Sequence, residues 1–272
     1  MPNEFRADLH CHTTCSDGSD PPLALLQLAK QVGLQGLSIT DHDTAEAYTP
    51  ELFLEARAVG IRLLPGIEIS SELEDLSVHI LGYGYDLDAP ELKEFLRLMQ
   101  QRREVRNRAI LRNLAQHKLP ISEEELKASH QTVGRPHIAQ LMVKKGYVQT
   151  TADAFEYYLR EGGLCYAPGI KCTPREVIDQ IHQVKGKAVL AHPHFFKKGP
   201  FLRKLLALPF DGLECYYGNL AKSQELPWLK IAQERGLIAT GGSDYHGALK
   251  PHVPLGSSWV DEATFEVLNL SK

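Results

Sequence analysis

The chain has 272 residues, 43% hydrophobic and 24% charged, proportions that suit one large soluble α/β domain or a domain carrying an insertion. A net charge of −4 excludes a surface that is basic throughout, so an anionic partner would need a local positive pocket. No apolar run nears the ~20 residues that span a bilayer, the N-terminus lacks the order of a signal peptide, and Cys11, Cys15, Cys165, Cys172 and Cys215 are odd in number and scattered, as free thiols in the cytoplasm would be.

Glu4 to Leu9 is an extended run that leads into Asp8-Leu-His-Cys-His12. Alternate residues of a strand share a face, so His10 and His12 can point at one spot while Cys11 faces away. Asp17 follows in a loop that Gly18 lets turn sharply. Imidazole and carboxylate suit zinc, manganese or iron. Pro21 to Gln31 reads as a helix, with Asp20 before it, prolines in its opening turn and Gly33 after it. Leu37 to Thr40 is a short strand with Asp41-His-Asp43 at its C-terminal end, and Thr49 to Val59 is a helix closed by Gly60. Ile61 to Ile69 is a strand carrying Pro65-Gly66 and Glu68, and Ser77 to Tyr85 is a strand carrying His79. Strands alternating with helices predict a mainly parallel sheet or barrel, where chemistry gathers at the C-terminal strand ends.

Between Asp88 and Gly163 the rhythm changes. Glu91 to His117 is one long helix; Ser122 to Lys127, Pro136 to Lys145 and Ala152 to Arg160 are shorter ones, and no strand is evident. Residues 89–163 are expected to form an α-helical insertion, a lid or cap, between barrel segments 1–88 and 164–272. The alternation then returns: a helix over Thr173 to Lys185, a strand over Lys187 to Ala191 ending in His192, and a strand over Asp211 to Tyr216. A helix over Ser223 to Arg235, a strand over Ile238 to Thr240, the word Gly242-Ser-Asp-Tyr-His246 and a tail helix over Ala263 to Leu270 complete the chain.

His10, His12, Asp17, His42, Glu68, His79, His192, Asp244 and His246 all fall at or near strand ends. Nine such donors exceed what one tetrahedral ion takes and suit two or three ions. Ions about 3.5–4 Å apart can hold a hydroxide between them and clamp the attacking and leaving oxygens of a phosphoester. Close cations need a bridging carboxylate, and Glu68 is the natural choice; the bridging hydroxide is expected beside Glu68 and Asp244.

Asp8-Leu-His-Cys-His12 with Ser16-Asp-Gly18, then Ile39-Thr-Asp-His-Asp43, Gly66-Ile-Glu-Ile69, Val78-His79, Ala191-His-Pro193 and Gly242-Ser-Asp-Tyr-His246 resemble, in this order, the motifs of the polymerase and histidinol phosphatase (PHP) superfamily. The resemblance runs nearly end to end. It implies an α/β fold, a distorted (β/α)7 barrel, with up to three divalent ions (Mn2+, Fe2+ or Zn2+). On matching positions it implies one ion at His10, His12, Glu68 and Asp244, a second at Glu68, His79 and His192, and a third at Asp17, His42 and His246. Val78-His-Ile-Leu-Gly82, Gly134-Arg-Pro-His-Ile-Ala139 and Val189-Leu-Ala-His-Pro193 are similar to words of the TrpH/YciV-type branch. Members of that branch include nucleoside 3′,5′-bisphosphate phosphatases and a 5′-to-3′ exoribonuclease. Each holds a nucleotide by a 5′-phosphate and cleaves phosphorus from its 3′-oxygen.

That implies a phosphorylated nucleotide or short RNA as substrate, with no membrane and no obligate protein partner. Arg135 and His137 begin a helix, where backbone N–H groups favour anions, and are expected to hold the 5′-phosphate. On the long helix, Arg102 or Arg103 with Arg106 could face a cleft; the competing reading is a solvated basic face supported by Glu104. Asp43 could orient a ligand histidine. His194 could stand beside the metals or donate a proton, and Tyr216-Tyr217 could stack a base or pack the barrel. His117, His130, His182 and His252 lie outside the motifs and read as surface groups. Two other functions compete: a small-metabolite phosphatase of the histidinol-phosphatase type, and a non-catalytic metal-bound binding module. The arginine-rich insertion counts against the first and the full donor set against the second.

Overall fold

The structure, a computed structural model, describes residues 4–127, 132–168, 172–197 and 199–269. His130 and the last residue of the expected tail helix, Leu270, lie outside the described residues.

The first sheet is parallel, in the order β1 (Ala7–Asp8), β2 (Gly36–Leu37), β3 (Arg62–Leu63). Helices α1 (Pro22–Gln31) and α2 (Pro50–Val59) return the chain between these strands. Both open on a proline, whose missing N–H costs nothing there. At α2 the Thr49 hydroxyl accepts the Leu52 N–H, and Gly60 ends the helix at φ 78°, a backbone shape that glycine adopts freely. Leu25, Leu26, Ala29, Leu52 and Ala56 are buried with Leu37 and Ile39, each large side chain contributing roughly 1.5–3 kcal/mol by leaving water.

The second sheet runs β4 (Gly66–Leu73), β5 (Leu76–Tyr83), β6 (Lys187–Leu190), β7 (Gly212–Tyr217), β8 (Ile238–Gly242). Only β6, β7 and β8 are mutually parallel. β5 is antiparallel to both β4 and β6; the pairings β1–β2, β2–β3, β6–β7 and β7–β8 are parallel, so the arrangement is mainly parallel, as expected, with β5 as the exception. The cause is local. Only Glu74 and Asp75 separate β4 from β5, both with positive φ (52° and 62°), the two-residue turn that folds a hairpin back on itself. The expected strand over 61–69 is likewise divided: Leu64 and Pro65 separate β3 from β4, and a proline cannot donate to a ladder.

Backbone hydrogen bonds join the sheets at two seams. Asp244 N–H donates to His10 O (2.7 Å) and His12 N–H to Tyr245 O (2.8 Å), beyond the ends of β8 and β1. Asp43 N–H donates to Glu68 O (2.9 Å) at the other seam. A Cβ on Gly242 would lie 2.3 Å from His10 N, so the first seam requires glycine there. Regular pairing stops at these bridges, and the ladders remain two sheets and not one closed sheet.

Among the described residues of 89–163 there is no strand. Helix α3 (Pro90–Gln116) serves two cores: Leu92, Leu96 and Met99 pack with β4, β5, β6 and α7 (Pro174–Gln183). Ile110, Leu111 and Leu114 pack instead with α4 (Glu123–Lys127), α5 (Arg135–Lys144) and α6 (Thr151–Ala154), which continues as a single π-helical turn over Phe155–Leu159. Helices α8 (Pro200–Leu205) and α9 (Lys222–Arg235) pack on the second sheet, while α10 (Glu262–Leu268) packs through Phe265 and Leu268 with Ala7 and Leu9 and with Leu81, Tyr83 and Val189 of the second sheet. The five cysteines are free and buried. No helix among the described residues is long and apolar enough to cross a membrane.

Candidate metal centre

The extension of β1 carries His10 and His12, both fully buried; between them the Cys11 thiol turns away to Ser38 O, 3.1 Å distant. Glu68, on β4, is the hub. Its Oε2 lies 3.5 Å from His10 Nε2, 3.2 Å from His12 Nε2 and 3.1 Å from His42 Nδ1. Its Oε1 lies 2.9 Å from His79 Nδ1 and 3.0 Å from His192 Nε2. Asp244 Oδ1 is 3.4 Å from the Nε2 atoms of both His10 and His12 and 3.5 Å from His246 Nδ1. Asp17 closes the far side, 3.5 Å from His12 and His246 and 3.7 Å from His42. All nine expected donors therefore meet in one cluster. Three subsets have donor atoms close enough to share an ion: His12, Asp17, His42 and His246; His10, His12 and Glu68; His42, Glu68 and His79.

The donor set fits divalent cations. Nε2 of His10 and His12 and Nδ1 of His42 and His192 are buried and make no hydrogen bond, which would be costly unless a cation took those lone pairs. Burial pushes the His42 pKa down to about 3, leaving the neutral imidazole that metals bind. Burial would raise the carboxyls of Glu68, Asp17 and Asp244, but the facing histidines, and Lys250 at Asp244, outweigh it and hold all three well below the usual range.

A second ring of side chains fixes these donors. Glu214, inside buried β7, is 2.8 Å from His10 Nδ1 through Oε1, and through Oε2 accepts the His192 N–H at 2.6 Å. Asp8 accepts N–H groups of His10, Ser243 and Gly256, and its burial pushes its carboxyl up to about 6. Asp41 accepts from Thr13 and Ser16 and so holds the loop that carries Asp17. Tyr217 OH (2.6 Å) and Lys250 Nζ (2.7 Å) both donate to Asp244 Oδ2. Tyr217 thus positions a donor, while Tyr216 packs against the core. Three non-glycine residues here have left-handed backbones, Asp43 (φ 55°), His192 (φ 30°) and Asp244 (φ 58°), and such strain collects where a site dictates the geometry.

A cleft of roughly 380 Å³ opens between these histidines and the arginines of α3 and α5. Arg103, Arg106 and Arg135 line it. They differ in what already holds them. Arg103 donates through Nε (3.1 Å) and Nη2 to Asp43 Oδ2, and through Nη2 to Ser70 Oγ (3.0 Å). It is engaged in a buried ion pair, and Asp43 bonds Arg103 and Ser70 and no histidine of the cluster; Glu214 is the carboxylate that bonds His10. Arg106 is half-buried and its Nε makes no hydrogen bond. Burial, together with the charges of Arg103 and Arg135, pushes its pKa down to about 9. Arg135 is held by one bond from Nη1 to Leu159 O (3.3 Å). His137 does not line the cleft: it is buried, and its Nδ1 accepts the Gly134 N–H (3.0 Å) at the start of α5. His182, expected as a plain surface group, lies 2.7 Å from Asp211.

The nine donors were visible in sequence, but Glu214, Asp8, Asp41 and Lys250 were not assigned roles there. For Glu214 the available signal was an acid within an otherwise apolar strand; for Lys250 nothing in the local pattern marks it.

Comparison with known proteins agrees with this geometry. Residues 8–188 match the PHP domain family. The chain is 35% identical over 257 residues to the 5′-3′ exoribonuclease Rnm of Escherichia coli (strain K12), covering 92% of this chain and 87% of that protein. It is 28% identical over 247 residues to the 3′,5′-nucleoside bisphosphate phosphatase of Chromobacterium violaceum, covering 88% and 86%. The crystal structure of a Bifidobacterium adolescentis protein assigned as a metal-dependent phosphoesterase superposes with a TM-score of 0.88 at 31% identity, covering 99% of this chain and 97% of that one. The chain belongs to the PHP domain family and is a metal-dependent phosphoester hydrolase.

Proposed function

We propose that this enzyme cleaves the 3′-phosphoester of a nucleotide that carries a 5′-phosphate, either a nucleoside 3′,5′-bisphosphate or the first residue of a short RNA. The observation that carries the reading is the cleft itself: Arg106, with an unpaired guanidinium nitrogen, and Arg135 face the nine-donor cluster across it. Two anion sites in one cleft suit a substrate with two phosphates. Two of the proteins named above act, by their names, on RNA and on a 3′,5′-nucleoside bisphosphate. Histidinol phosphate has a single phosphate and would leave the arginines unanswered. We further read the two sheets, joined at their seams, as a distorted (β/α)7 barrel, with residues 89–163 as its cap and α3 shared between them. The free, buried cysteines suit a reducing cytoplasm.

Two or three ions, manganese, iron or zinc, would be held by His10, His12, Glu68 and Asp244, by Glu68, His79 and His192, and by Asp17, His42 and His246. Bound there, they supply Lewis-acid charge and lower the pKa of coordinated water. The protein's own groups do the rest. Arg106 and Arg135 grip the 5′-phosphate, and this remote binding energy orients the reacting bond. Arg103 holds α3 against Asp43 and Ser70, which keeps the arginine wall in place. Lys250 and Tyr217 hold Asp244. A water oxygen bonds to phosphorus as the P–O3′ bond breaks, and the departing 3′-oxygen takes up a proton.

The test is a parallel assay with added manganese of adenosine 3′,5′-bisphosphate, 3′-AMP, histidinol phosphate and a 5′-phosphorylated RNA oligomer. The bisphosphate or the oligomer is turned over faster than 3′-AMP. Equal turnover of 3′-AMP would remove the 5′-phosphate anchor, and faster turnover of histidinol phosphate would replace the reading altogether.

A further inference from the structure

His192, two residues beyond the end of β6, has a left-handed backbone, and the chain then makes a tight helical turn over Pro193–Phe195. The turn is held at both ends. His192 N–H donates to Glu214, Phe195 N–H to His192 O (3.1 Å) and Phe196 N–H to Pro193 O (3.1 Å). The two aromatic side chains then diverge in role. Phe196 packs into the core beside Phe201, with ring centres 5.3 Å apart. Phe195 is left 63% exposed. A lone exposed phenylalanine is ordinary on a protein surface. This one is fixed on a rigid turn, its ring centre 5.0 Å from that of His192 and 4.3 Å from that of His194, which lies against Tyr217 at 4.4 Å.

Its place in the cleft gives the ring a meaning. A second recess of about 260 Å³ adjoins the arginine cleft, sharing His42, His79, His246 and Arg135 with it. The first recess runs from these shared residues to Arg106; the second takes in Glu68, Asp244 and Phe195. A chain whose first nucleotide has its 5′-phosphate at Arg106 and its 3′-phosphate at the donor cluster continues away from Arg106, toward the second recess. A nucleoside bisphosphate ends at the cluster and has nothing to place there. The exposed ring and Lys197, exposed two residues further along the same loop, are a flat π-face and a cation, which suit a base and the phosphate beside it.

We propose that Phe195 is the stacking platform for the base of the nucleoside that follows the scissile phosphate, so that the site is built for an oligonucleotide and not for a mononucleotide alone. The proposal rests on the phosphoesterase reading above and specifies its substrate class. Phe195 binds the part of the substrate that retains the phosphate after the P–O3′ bond breaks; it takes no part in the bond changes.

The test compares kcat/KM, with manganese added, for a 5′-phosphorylated dinucleotide (pApA) and for adenosine 3′,5′-bisphosphate. In Phe195→Ala the ratio of the two falls roughly 5- to 150-fold, the range expected for loss of one base–aromatic stack, and in Phe195→Trp the wild-type ratio is kept. A dinucleotide with an abasic second sugar loses the same factor with the wild-type enzyme, and Phe195→Ala lowers it no further. An unchanged ratio in Phe195→Ala, or wild-type cleavage of the abasic substrate as fast as pApA, overturns the stacking role while leaving the phosphoesterase reading standing. Wild-type inertness toward both pApA and the bisphosphate overturns both.

Discussion

Replacing Arg103 by methionine separates two roles that an arginine on the cleft wall could have. If Arg103 were a phosphate ligand, its loss would raise KM and leave the fold alone. Its contacts say otherwise. Asp43 is fully buried, Arg103 is nearly so, and the two are joined through both Nε and Nη2, with Ser70 bonded to each. Methionine keeps the stem and removes the fork, which leaves a buried carboxylate with only the Ser70 N–H and hydroxyl. Breaking one side of such a pair costs about 3–5 kcal/mol. Replacing both partners is far milder, so Asp43→Asn combined with Arg103→Met should recover most of the loss; asparagine also tolerates the φ of 55° at that position. The pH dependence has a definite sign. Burial would raise the Asp43 pKa, but Arg103 and Ser70 outweigh it and depress it below the ordinary 3.8. A depressed carboxyl adds stability above its unfolded pKa and loses it as pH falls through the folded one. The gap between wild type and Arg103→Met should therefore be full at pH 7 and narrow below about pH 4. Urea unfolding of the four proteins of the cycle, with chelator present, measures this. A coupling under about 1 kcal/mol at pH 7 would refute the buried-pair argument, as would a raised KM with unchanged stability.

Glu68→Gln should lower turnover by at least about a thousandfold, since the hub charge facing five histidines is lost; bound metal measured on the purified variant should fall with it while far-ultraviolet circular dichroism is kept. Glu214→Gln should weaken metal affinity by roughly 10- to 100-fold without touching substrate, the usual effect of removing a carboxylate that orients a ligand histidine; a metal titration shows it, and unaltered affinity would deny Glu214 that part. Arg106→Met should reduce kcat/KM for adenosine 3′,5′-bisphosphate by about 1.5–3 kcal/mol, roughly 10- to 150-fold, and leave 3′-AMP unaffected. An equal loss on both substrates would mean that Arg106 supports the fold and not the 5′-phosphate.

What the sequence made legible, and what it hid, follows from the range of each interaction. The nine donors could be read because each sits beside a strand end in a short word, and period-two alternation alone places His10 and His12 on one face. Helix starts such as Thr49 and Thr173 were equally local, each hydroxyl accepting an N–H three residues on. The hairpin of β4 and β5 escaped because its turn is Glu74-Asp75, without the glycine or asparagine that usually marks two left-handed residues. Arg103 and Arg106 stand three residues apart on one helix, and nothing in helical periodicity says which of them Asp43, 60 residues from Arg103, will claim.

Glu214 was hidden for the same reason and matters most, because its partner His10 lies 204 residues away. One of its oxygens fixes the ring of His10, and the other takes the N–H of His192, a residue whose φ of 30° costs on the order of 1–3 kcal/mol unless something holds it. His10 and His192 belong to different proposed ion groups that meet at Glu68. The same His192 backbone also launches the turn that presents Phe195. A single buried carboxylate thus ties the first ion group, the second and the substrate platform to one strand. Metal loading and the presentation of Phe195 should accordingly depend on each other, and neither can be set by the local words around the ligands.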